Sequence, residues 1–493
     1  MGIGIPVRGE LAFLFKMLPE GADMLDVRYN VVQWVHRSTR GWSYGSNISD
    51  PRTGEILKGH VSLGSLRIRQ DFLIAQALQA PYATNKADDK FALEMALARI
   101  RQLAAHEVGH TIGFAHNYIA STINRSSVMD YPHPQFSLKE GKIDFSNAYA
   151  TGIGEWDKVT VAYSYQDFAS NEEQGLQNIL DAAFAKGLRF ITDQDARPKG
   201  SAHAFAHLWD NGKSVDDELN SLLAIRKNAI DKFSADNIKS KEPYSVLEDV
   251  FVPLYFLHRY QTEAVSKIIG GLDYNYAIKG GKQAIVKRIP GSLERKALSA
   301  LLKTVDVETI AIPTSKLKLF PPRAFGYRRT RESFKSKIGV EFDPYGAVET
   351  ASEMTLELLF HPQRAARLVL HKSLDKTQLG LEELIDIVIL NTFKNDVYKN
   401  NYYQELQNVV NEQVLNQLFY LAANKNTYKQ VTAIVNSKIE EIASWLRKRK
   451  SKGVQLQYDK ELVRSIVAFK KDPSKFKKVQ SPKIPDGSPI GMD

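Results

Sequence analysis

The apolar positions near the start of the chain predict short strands. Residues 27–36, VRYNVVQWVH, are rich in β-branched and aromatic side chains and predict one strand. The turn sequence DPRTG at residues 50–54 separates residues 42–48 from residues 55–66, and this arrangement predicts a hairpin. We therefore expect a small sheet in this part of the chain.

A helix is predicted to follow this sheet, because the apolar spacing changes to that of a helix. The helix begins near the sequence ADD at residues 87–89, with an Asp as its N-cap, and it runs on into His106. One face of this helix carries Phe91, Met95, Ala98 and Gln102, and another face carries Leu93, Leu97, Ile100 and Ala104. We therefore expect a helix that is buried on most sides.

Beyond residue 165 the pattern is chiefly helical. The helical stretches are Val246–Ile269, Leu293–Lys303, Thr350–Leu370, Leu381–Phe393, Tyr403–Ala422 and Tyr428–Arg447. A loop with Pro313, Pro321 and Pro322 suggests a boundary within this half. The Lys-, Pro-, Ser- and Gly-rich tail is predicted to be extended or poorly ordered. The predicted fold class is α+β, with units at residues 1–165, 166–345 and 346–471 and a tail at residues 472–493.

Composition is that of an ordinary globular protein, with 493 residues, 43% of them hydrophobic and 25% charged. No apolar run approaches the roughly 18 residues of a membrane-spanning helix, and the apolar residues 11–15 are too few for a signal peptide. The net charge of +10 comes mostly from scattered basic residues, so we predict no nucleic-acid binding. Because cysteine is absent, a transition-metal site must use His and carboxylate ligands.

A candidate metal site of this kind lies in the sequence HEVGHTIGFAH. His106 and His110 are four residues apart, so a helix places both imidazoles on one face and within reach of one ion. His116 can reach the same ion only after a sharp turn, and Gly113 has the backbone freedom that such a turn needs. Glu107 lies beside the first ligand, where it can take a proton from a water molecule on the metal.

Zinc is the metal that this motif predicts, with one ion per chain. Three protein ligands leave the fourth position of a tetrahedral zinc ion open to water, as catalysis requires. The odds that a chain of this length matches all five fixed positions by chance are on the order of one in ten thousand.

A second motif, SVMDYP at residues 127–132, follows the first. With both motifs the chain resembles the metzincins, zinc peptidases in which the long His motif is followed by a tight turn with a methionine beneath the metal. By this resemblance Met129 is that methionine, and Tyr131 is a catalytic residue that stabilises the oxyanion. A packing role for Tyr131 is an equally open alternative. The resemblance also implies that the strand at residues 57–63 is the edge strand that pairs with an extended substrate.

The resemblance can be narrowed to a family of large bacterial zinc-dependent metallopeptidases, often found in Bacteroidetes, that carry long helical C-terminal regions. The sequences that carry this resemblance are RYNVVQWVHRSTRGWSYGSNISDPRTGEILKGHVSLGSLRIRQD, the zinc motif and QDARPKGSAHAFAHLWDNG. This family has further N-terminal domains and is generally exported. The resemblance therefore implies that the chain is the C-terminal portion of a longer, exported protein.

The function implied by this resemblance is that of a zinc-dependent endopeptidase acting on a peptide or protein substrate. His106, His110 and His116 would be the metal ligands and Glu107 the general base. Two alternatives stay open, namely a peptide-binding scaffold or impaired fragment that retains the zinc site, and a zinc hydrolase of a non-peptide amide. The intact Glu107 argues against the scaffold, which needs no base.

Three weaker signals follow in residues 193–212. His203 and His207 are four residues apart, but without a neighbouring Glu or a third ligand they indicate packing rather than a second metal site. Asp193 and Asp195 indicate a solvated loop rather than a calcium site. The sequence DARPKGSAHAFAHLWDNG, from residue 195 onward, is too turn-rich for a plain helical linker. We hypothesise that it folds back over the metal cleft or the base of the catalytic domain, and the alternative is a connector packed between helices far from the metal.

Overall fold

The computed structural model describes residues 6–7, 10–11, 16–36, 43–83, 89–281, 283–478 and 484–485. Its first two strands, β1 (Pro6–Val7) and β2 (Glu10–Leu11), are short and pair with each other antiparallel. Residue 42, which the pattern placed in the hairpin, and residues 84–88, just before the predicted helix, lie outside the described residues.

A three-stranded sheet precedes the long helices, as the apolar pattern predicted. It consists of β3 (Val31–Val35), β4 (Tyr44–Ser49) and β5 (Ile56–Gly64), in the order β3-β5-β4. Strands β4 and β5 form the predicted antiparallel hairpin, and β3 pairs with β5 in parallel. Because β5 has a neighbour on each side, it is the central strand, and the prediction of an edge strand at residues 57–63 is wrong. Among the described residues, β4 is the edge of this sheet that lies against a helix.

The first long helix, α1 (Leu66–Gln79), follows β5 directly and was not predicted. Its buried positions include the polar residues Arg67, Gln70 and Asp71 as well as apolar ones, so the apolar residues alone mark no helical stripe. Helix α1 packs along the next helix and also contacts the helical half of the chain.

The second helix, α2 (Lys90–Thr111), begins after an Asp, as predicted. Asp89 occupies the N-cap position, but its side chain forms no capping hydrogen bond. One face of α2 packs against α1, and another packs against β4 and β5. The prediction that this helix is buried on most sides was only partly correct, because Leu93 and Leu97 are exposed.

The remainder of the chain is mainly helical, which confirms the predicted α+β class. Its further elements are β6 (Ser137–Lys139), β7 (Lys142–Asp144), α3 (Glu155–Tyr165), α4 (Glu172–Ala185), α5 (Asp193–Ala196), α6 (Val215–Lys232), α7 (Leu247–Tyr255), α8 (Arg259–Ser266), β8 (Leu272–Tyr274), β9 (Val286–Arg288), α9 (Gly291–Leu302), α10 (Val307–Ile310), α11 (Thr314–Leu317), α12 (Pro344–Leu359), α13 (Pro362–Leu374), α14 (Leu381–Asn391), α15 (Asn401–Ala423), α16 (Lys429–Lys448) and α17 (Gly453–Lys471). Strands β6 and β7 form one antiparallel hairpin, and β8 and β9 form another pair.

Two of the predicted helices are divided in the structure. Residues 246–269 form α7 and α8, and residues 350–370 belong to α12 and α13. Pro362 explains the second break, because proline cannot continue a helix from the residue before it but fits the first turn of a new one. Helices α4, α6 and α17 were not predicted, whereas the four other helical stretches are confirmed to within a few residues.

A continuous cluster of buried apolar side chains joins the helical elements. It extends from Ile74 of α1 through Leu222 of α6 and Val348 of α12 to Phe469 of α17. The boundaries at residues 165, 345 and 471 stay a prediction. Every helix within the described residues is too short or too polar to cross a lipid bilayer.

Candidate metal centre

The chain turns back on itself at the end of α2, which stops just after His110. The helix ends at Thr111, and Gly113 then adopts φ +91°, a left-handed conformation that favours glycine. Two hydrogen bonds close the turn, from the Gly113 N–H to the His110 carbonyl oxygen (3.1 Å) and from the Phe114 N–H to the Gly109 carbonyl oxygen (3.0 Å). The sharp turn predicted at Gly113 is therefore present.

This turn brings His106, His110 and His116 together. The Nε2 atom of His110 lies 3.1 Å from the Nε2 atoms of His106 and of His116, and the three ligand atoms are all within 4.8 Å of one another. Nitrogen ligands at about 2.0 Å from a tetrahedral zinc ion lie roughly 3.3 Å apart. The cluster therefore has the dimensions and the donor set that zinc accepts.

The Nδ1 atom of each histidine in α2 is hydrogen-bonded to a backbone carbonyl oxygen. His106 Nδ1–H donates to Val128 (2.7 Å), and His110 Nδ1–H donates to Phe114 (2.8 Å). Because a carbonyl oxygen can only accept, the hydrogen is on Nδ1, and Nε2 keeps its lone pair for a metal. Burial lowers the pKa of both imidazoles, so they are neutral and able to bind a cation at neutral pH.

The third histidine, His116, is held by Asp193, a residue whose role the sequence did not indicate. His116 Nδ1–H donates to the Asp193 carboxylate (2.9 Å), and the Nε–H of Arg197 donates to the same group. Burial alone would raise the pKa of Asp193, but these two hydrogen bonds hold it well below its usual value. The interpretation of Asp193 as part of a solvated loop is therefore wrong. No local spacing could reveal this contact across 77 residues.

Glu107 is 2% exposed and lies under the edge strand β4. A Cβ atom on Gly45 of β4 would come within 2.0 Å of the Glu107 carbonyl oxygen, so only glycine permits this approach. The Gly45 N–H donates to the Glu107 carboxylate, but burial dominates and raises the pKa of this carboxyl to about 7. Glu107 is therefore suited to gain and lose a proton near neutral pH.

The predicted methionine turn, within residues 127–132, lies beneath α2. A Cβ atom on Gly109 would lie 2.3 Å from the Met129 sulfur, so the methionine packs directly on the helix backbone between the ligands. The Asp157 carboxylate in α3 holds the turn by accepting from Ser127 Oγ (2.6 Å) and from the Val128 N–H (2.8 Å). The Val128 carbonyl oxygen in turn accepts from His106, so α3 supports the ligand through the turn.

Tyr131 places its hydroxyl at the triad, 2.9 Å from Nε2 of His116. Arg197 Nη2 donates to the same hydroxyl (3.3 Å). The ring of Trp209 stacks on the Tyr131 ring with centroids 4.9 Å apart. Burial raises the pKa of Tyr131, so the phenol keeps its proton at neutral pH and can act as a hydrogen-bond donor. The structure thus places Tyr131 among the predicted site residues.

A family model described as Met-zincin matches residues 88–400, which is more than half of the chain. The chain belongs to the Met-zincin family. The matched region contains α2, the histidine triad and the methionine turn, and it continues through much of the helical half. A search of curated proteins and a search of solved structures gave no significant match.

The segment from residue 195 to 212 folds back to the metal centre of this Met-zincin, as hypothesised. Arg197 and Trp209 both contact Tyr131, which lies against His116. Trp209 adopts φ +63°, which is rare for a residue with a large side chain. The backbone N–H of Trp209 donates to the Tyr131 carbonyl oxygen (2.8 Å). The surrounding contacts therefore hold Trp209 in a conformation that it would not adopt alone.

Other polar residues of the same stretch of the Met-zincin chain face the helical half instead. His203 Nε2–H donates to the Tyr274 carbonyl oxygen (2.9 Å), and His207 Nε2 lies 3.4 Å from the Glu263 carboxylate. These contacts agree with the packing role predicted for the two histidines. The Asp195 carboxylate accepts from the hydroxyls of Tyr274 and Tyr276, so it too is not part of a solvated loop.

Proposed function

We propose that this Met-zincin is a zinc-dependent endopeptidase, with His106, His110 and His116 as the ligands of one zinc ion. One observation carries the proposal: each imidazole has its Nδ1 bonded to an acceptor, which leaves three Nε2 lone pairs facing one point. A zinc ion held there would activate a water molecule and polarise the scissile carbonyl group.

Glu107 is the general base in this proposal. Its carboxylate lies beside the first ligand, where it can take a proton from the attacking water and deliver it to the leaving amine. The Gly45 N–H orients the carboxylate, and the packing of β4 on α2 excludes bulk water from it.

In this proposal the hydroxyl of Tyr131 donates a hydrogen bond to the carbonyl oxygen of the scissile bond as negative charge develops there. Stacking of Trp209 on the ring and the hydrogen bond from Arg197 hold the hydroxyl in place at the triad. The positive charge of Arg197 also favours negative charge on the substrate's carbonyl oxygen. The packing role left open for Tyr131 is less well supported, because its hydroxyl lies 2.9 Å from a proposed ligand.

A peptide substrate would bind in an extended form along β4. This strand is an edge among the described residues, and Gly45 and Asn47 place its backbone directly beside α2. Pairing of main-chain groups with a strand edge binds a peptide with little demand on its sequence. The scissile bond would then lie over Glu107 and the triad.

The test is a mixed peptide library incubated with the zinc-loaded protein, with products identified by mass spectrometry. Internal cleavage is expected, and Glu107→Gln should lower it by about 100- to 10,000-fold while zinc remains bound, because an amide cannot take the proton. If the zinc-loaded protein cleaves no peptide, the result would favour the peptide-binding scaffold. If it hydrolyses only non-peptide amides, the result would favour a zinc hydrolase of that substrate class. Undiminished cleavage by Glu107→Gln would remove this residue from the mechanism.

A further inference from the structure

Arg99 is a buried charged residue on the face of α2 that carries the metal ligands. It precedes His106 by seven residues, which is two helical turns, and its side chain is 0% exposed. None of its three guanidinium nitrogens has a hydrogen-bond partner in the described structure. A guanidinium carries five N–H donors, so this arrangement leaves all of them unused.

Four other side chains lie near this guanidinium, those of Arg67, Asp71, Tyr149 and Trp209. We call these four side chains together with Arg99 the arginine enclosure. The central carbon of the Arg99 guanidinium lies 5.6 Å from the centroid of the Trp209 ring and 5.9 Å from that of the Tyr149 ring. The central carbon of the Arg67 guanidinium lies 5.7 Å from the Trp209 centroid.

The one carboxylate of the enclosure is already engaged. Asp71 forms a salt bridge with Arg67 (2.9 Å) and accepts from the Tyr149 hydroxyl (2.5 Å). Its charge therefore compensates Arg67 and leaves Arg99 without a counterion in contact. Asp71, Glu107 and the buried Asp130 attract Arg99 only at longer range, without a hydrogen bond to its guanidinium.

Arg99 nevertheless stays charged at neutral pH. Burial, and secondarily the like charge of Arg67, lower its pKa to about 10, which is still well above 7. A buried and unpaired charge is among the least favourable arrangements in a protein interior, and it is normally compensated by a counterion with matching hydrogen bonds. The unused donors of Arg99 therefore indicate a site for an anion.

The enclosure adjoins the proposed catalytic centre. Trp209 contacts Arg99 and also stacks on Tyr131, whose hydroxyl lies at the triad. One aromatic ring thus separates the unpaired guanidinium from the residues that would handle the scissile carbonyl group. An anion bound at Arg99 would belong to a substrate that is held at the triad.

We propose that Arg99 binds a carboxylate of the substrate, either an acidic side chain close to the scissile bond or a free C-terminus. The planar fork of a guanidinium matches the two oxygens of a carboxylate, which fits this choice of anion. This inference rests on the proposed peptidase function. Because Arg99 is fully enclosed, the side chain of Trp209 or of Arg99 must shift when the carboxylate enters.

The first experiment compares matched peptides with the zinc-loaded protein. One pair carries Glu or Gln next to the cleaved bond, and a second pair ends in a free carboxylate or an amide. We expect kcat/KM for one of the charged peptides to exceed that for its neutral partner by about 100-fold, the usual scale for a charge-assisted pair. The pair that shows the difference identifies the source of the carboxylate, and equal rates within both pairs would overturn the proposal.

Arg99→Met should abolish this difference, so that the charged and the neutral peptide of each pair are cleaved at equal rates. Arg101→Met is the matched control, because Arg101 lies on the same helix but is exposed, and it should keep the difference. Removal of an unpaired buried charge should leave the melting temperature unchanged or raise it. A lower melting temperature with an unchanged peptide preference would assign Arg99 a structural role and overturn the proposal.

Binding separates this proposal from the peptidase proposal. Calorimetry with Glu107→Gln and the same peptides measures affinity without turnover. Tighter binding of a charged peptide, lost in the double variant with Arg99→Met, would support the carboxylate site even if no peptide is cleaved by the parent protein. Equal affinities would overturn the carboxylate site and leave the peptidase proposal standing if the library is cleaved.

Discussion

At the scale of single residues, the metal centre depends on contacts that fix the ring orientation of each histidine. The two α2 ligands are oriented by carbonyl oxygens, whereas His116 depends on one carboxylate, that of Asp193. A carboxylate that accepts from a ligand imidazole also increases its basicity and strengthens the metal bond. Asp193 is therefore a polar side chain outside the triad through which metal affinity can be changed.

Asp193→Asn should weaken zinc binding by roughly 10- to 100-fold, because an amide oxygen can still accept from His116 but carries no charge. Competition with a chromogenic chelator measures the affinity. Asp195→Asn is the control, since Asp195 bonds to Tyr274 and Tyr276 and should leave zinc affinity unchanged. An equal loss in both variants would point to general disruption of α5 rather than to the His116 contact.

Tyr131→Phe should lower kcat while leaving zinc affinity largely intact, because the ring can still stack on Trp209 and only the donor is lost. Loss of one oxyanion donor costs roughly 3–4 kcal/mol of transition-state stabilisation where the role is real. Steady-state kinetics on a peptide cleaved by the parent protein gives the value. Tyr163→Phe, at an exposed position, is the control. An unchanged kcat in Tyr131→Phe would return the residue to a packing role.

At the scale of helices and strands, the features that could be predicted from the sequence are those that depend on residues close together in the chain. The i, i+4 histidines, the glycine turn and the strand hairpin follow from contacts between neighbours in the chain, and all three are present. Helix α1 was missed because its buried face includes Arg67 and Asp71, which contact Trp209 and Tyr149 far along the chain. The edge strand was misassigned because strand order depends on the parallel pairing of β3 with β5 across the intervening hairpin.

Close packing between elements gives a further test, at Gly109 above the methionine turn. Gly109→Ala should lower the free energy of unfolding by about 1–3 kcal/mol, since its Cβ would lie 2.3 Å from the Met129 sulfur. Denaturant unfolding measures this change. Gly64→Ala is the matched control, because the nearest atom to its Cβ would be 3.9 Å away. In the double variant with Met129→Ala the cost of Gly109→Ala should shrink, and strict additivity would argue against a direct clash.

At the scale of the whole molecule, the metal centre joins parts of the chain that are far apart in sequence. Helix α2 and the loop after it supply the three histidines, and the methionine turn supports His106. Residues 193–209 supply the partners of His116 and Tyr131. Lys267 of the helical half then holds this last segment through the carbonyl oxygens of Ala196 and Ala206. The helical half is therefore connected to the site by hydrogen bonds as well as by packing.

Zinc removal should consequently destabilise the whole protein. A ligand at about 1,000 times its dissociation constant adds about 4 kcal/mol to the stability of the folded state, so a chelator should lower Tm by a few degrees. Differential scanning calorimetry with and without the chelator measures the shift. His110→Ala, which lacks one proposed ligand, should show no further shift, and a shift of parental size would mean that zinc binds elsewhere.

The contact between His116 and Asp193 also has a consequence for the order of events during synthesis. A ribosome must translate 77 more residues after His116 before Asp193 exists, and Trp209 follows later still. We therefore expect a nascent chain to hold zinc weakly and to lack peptidase activity until this second stretch has left the exit tunnel. Chains arrested at residue 180 and at residue 260, compared for zinc uptake on the ribosome, would measure that delay, and equal uptake would exclude it.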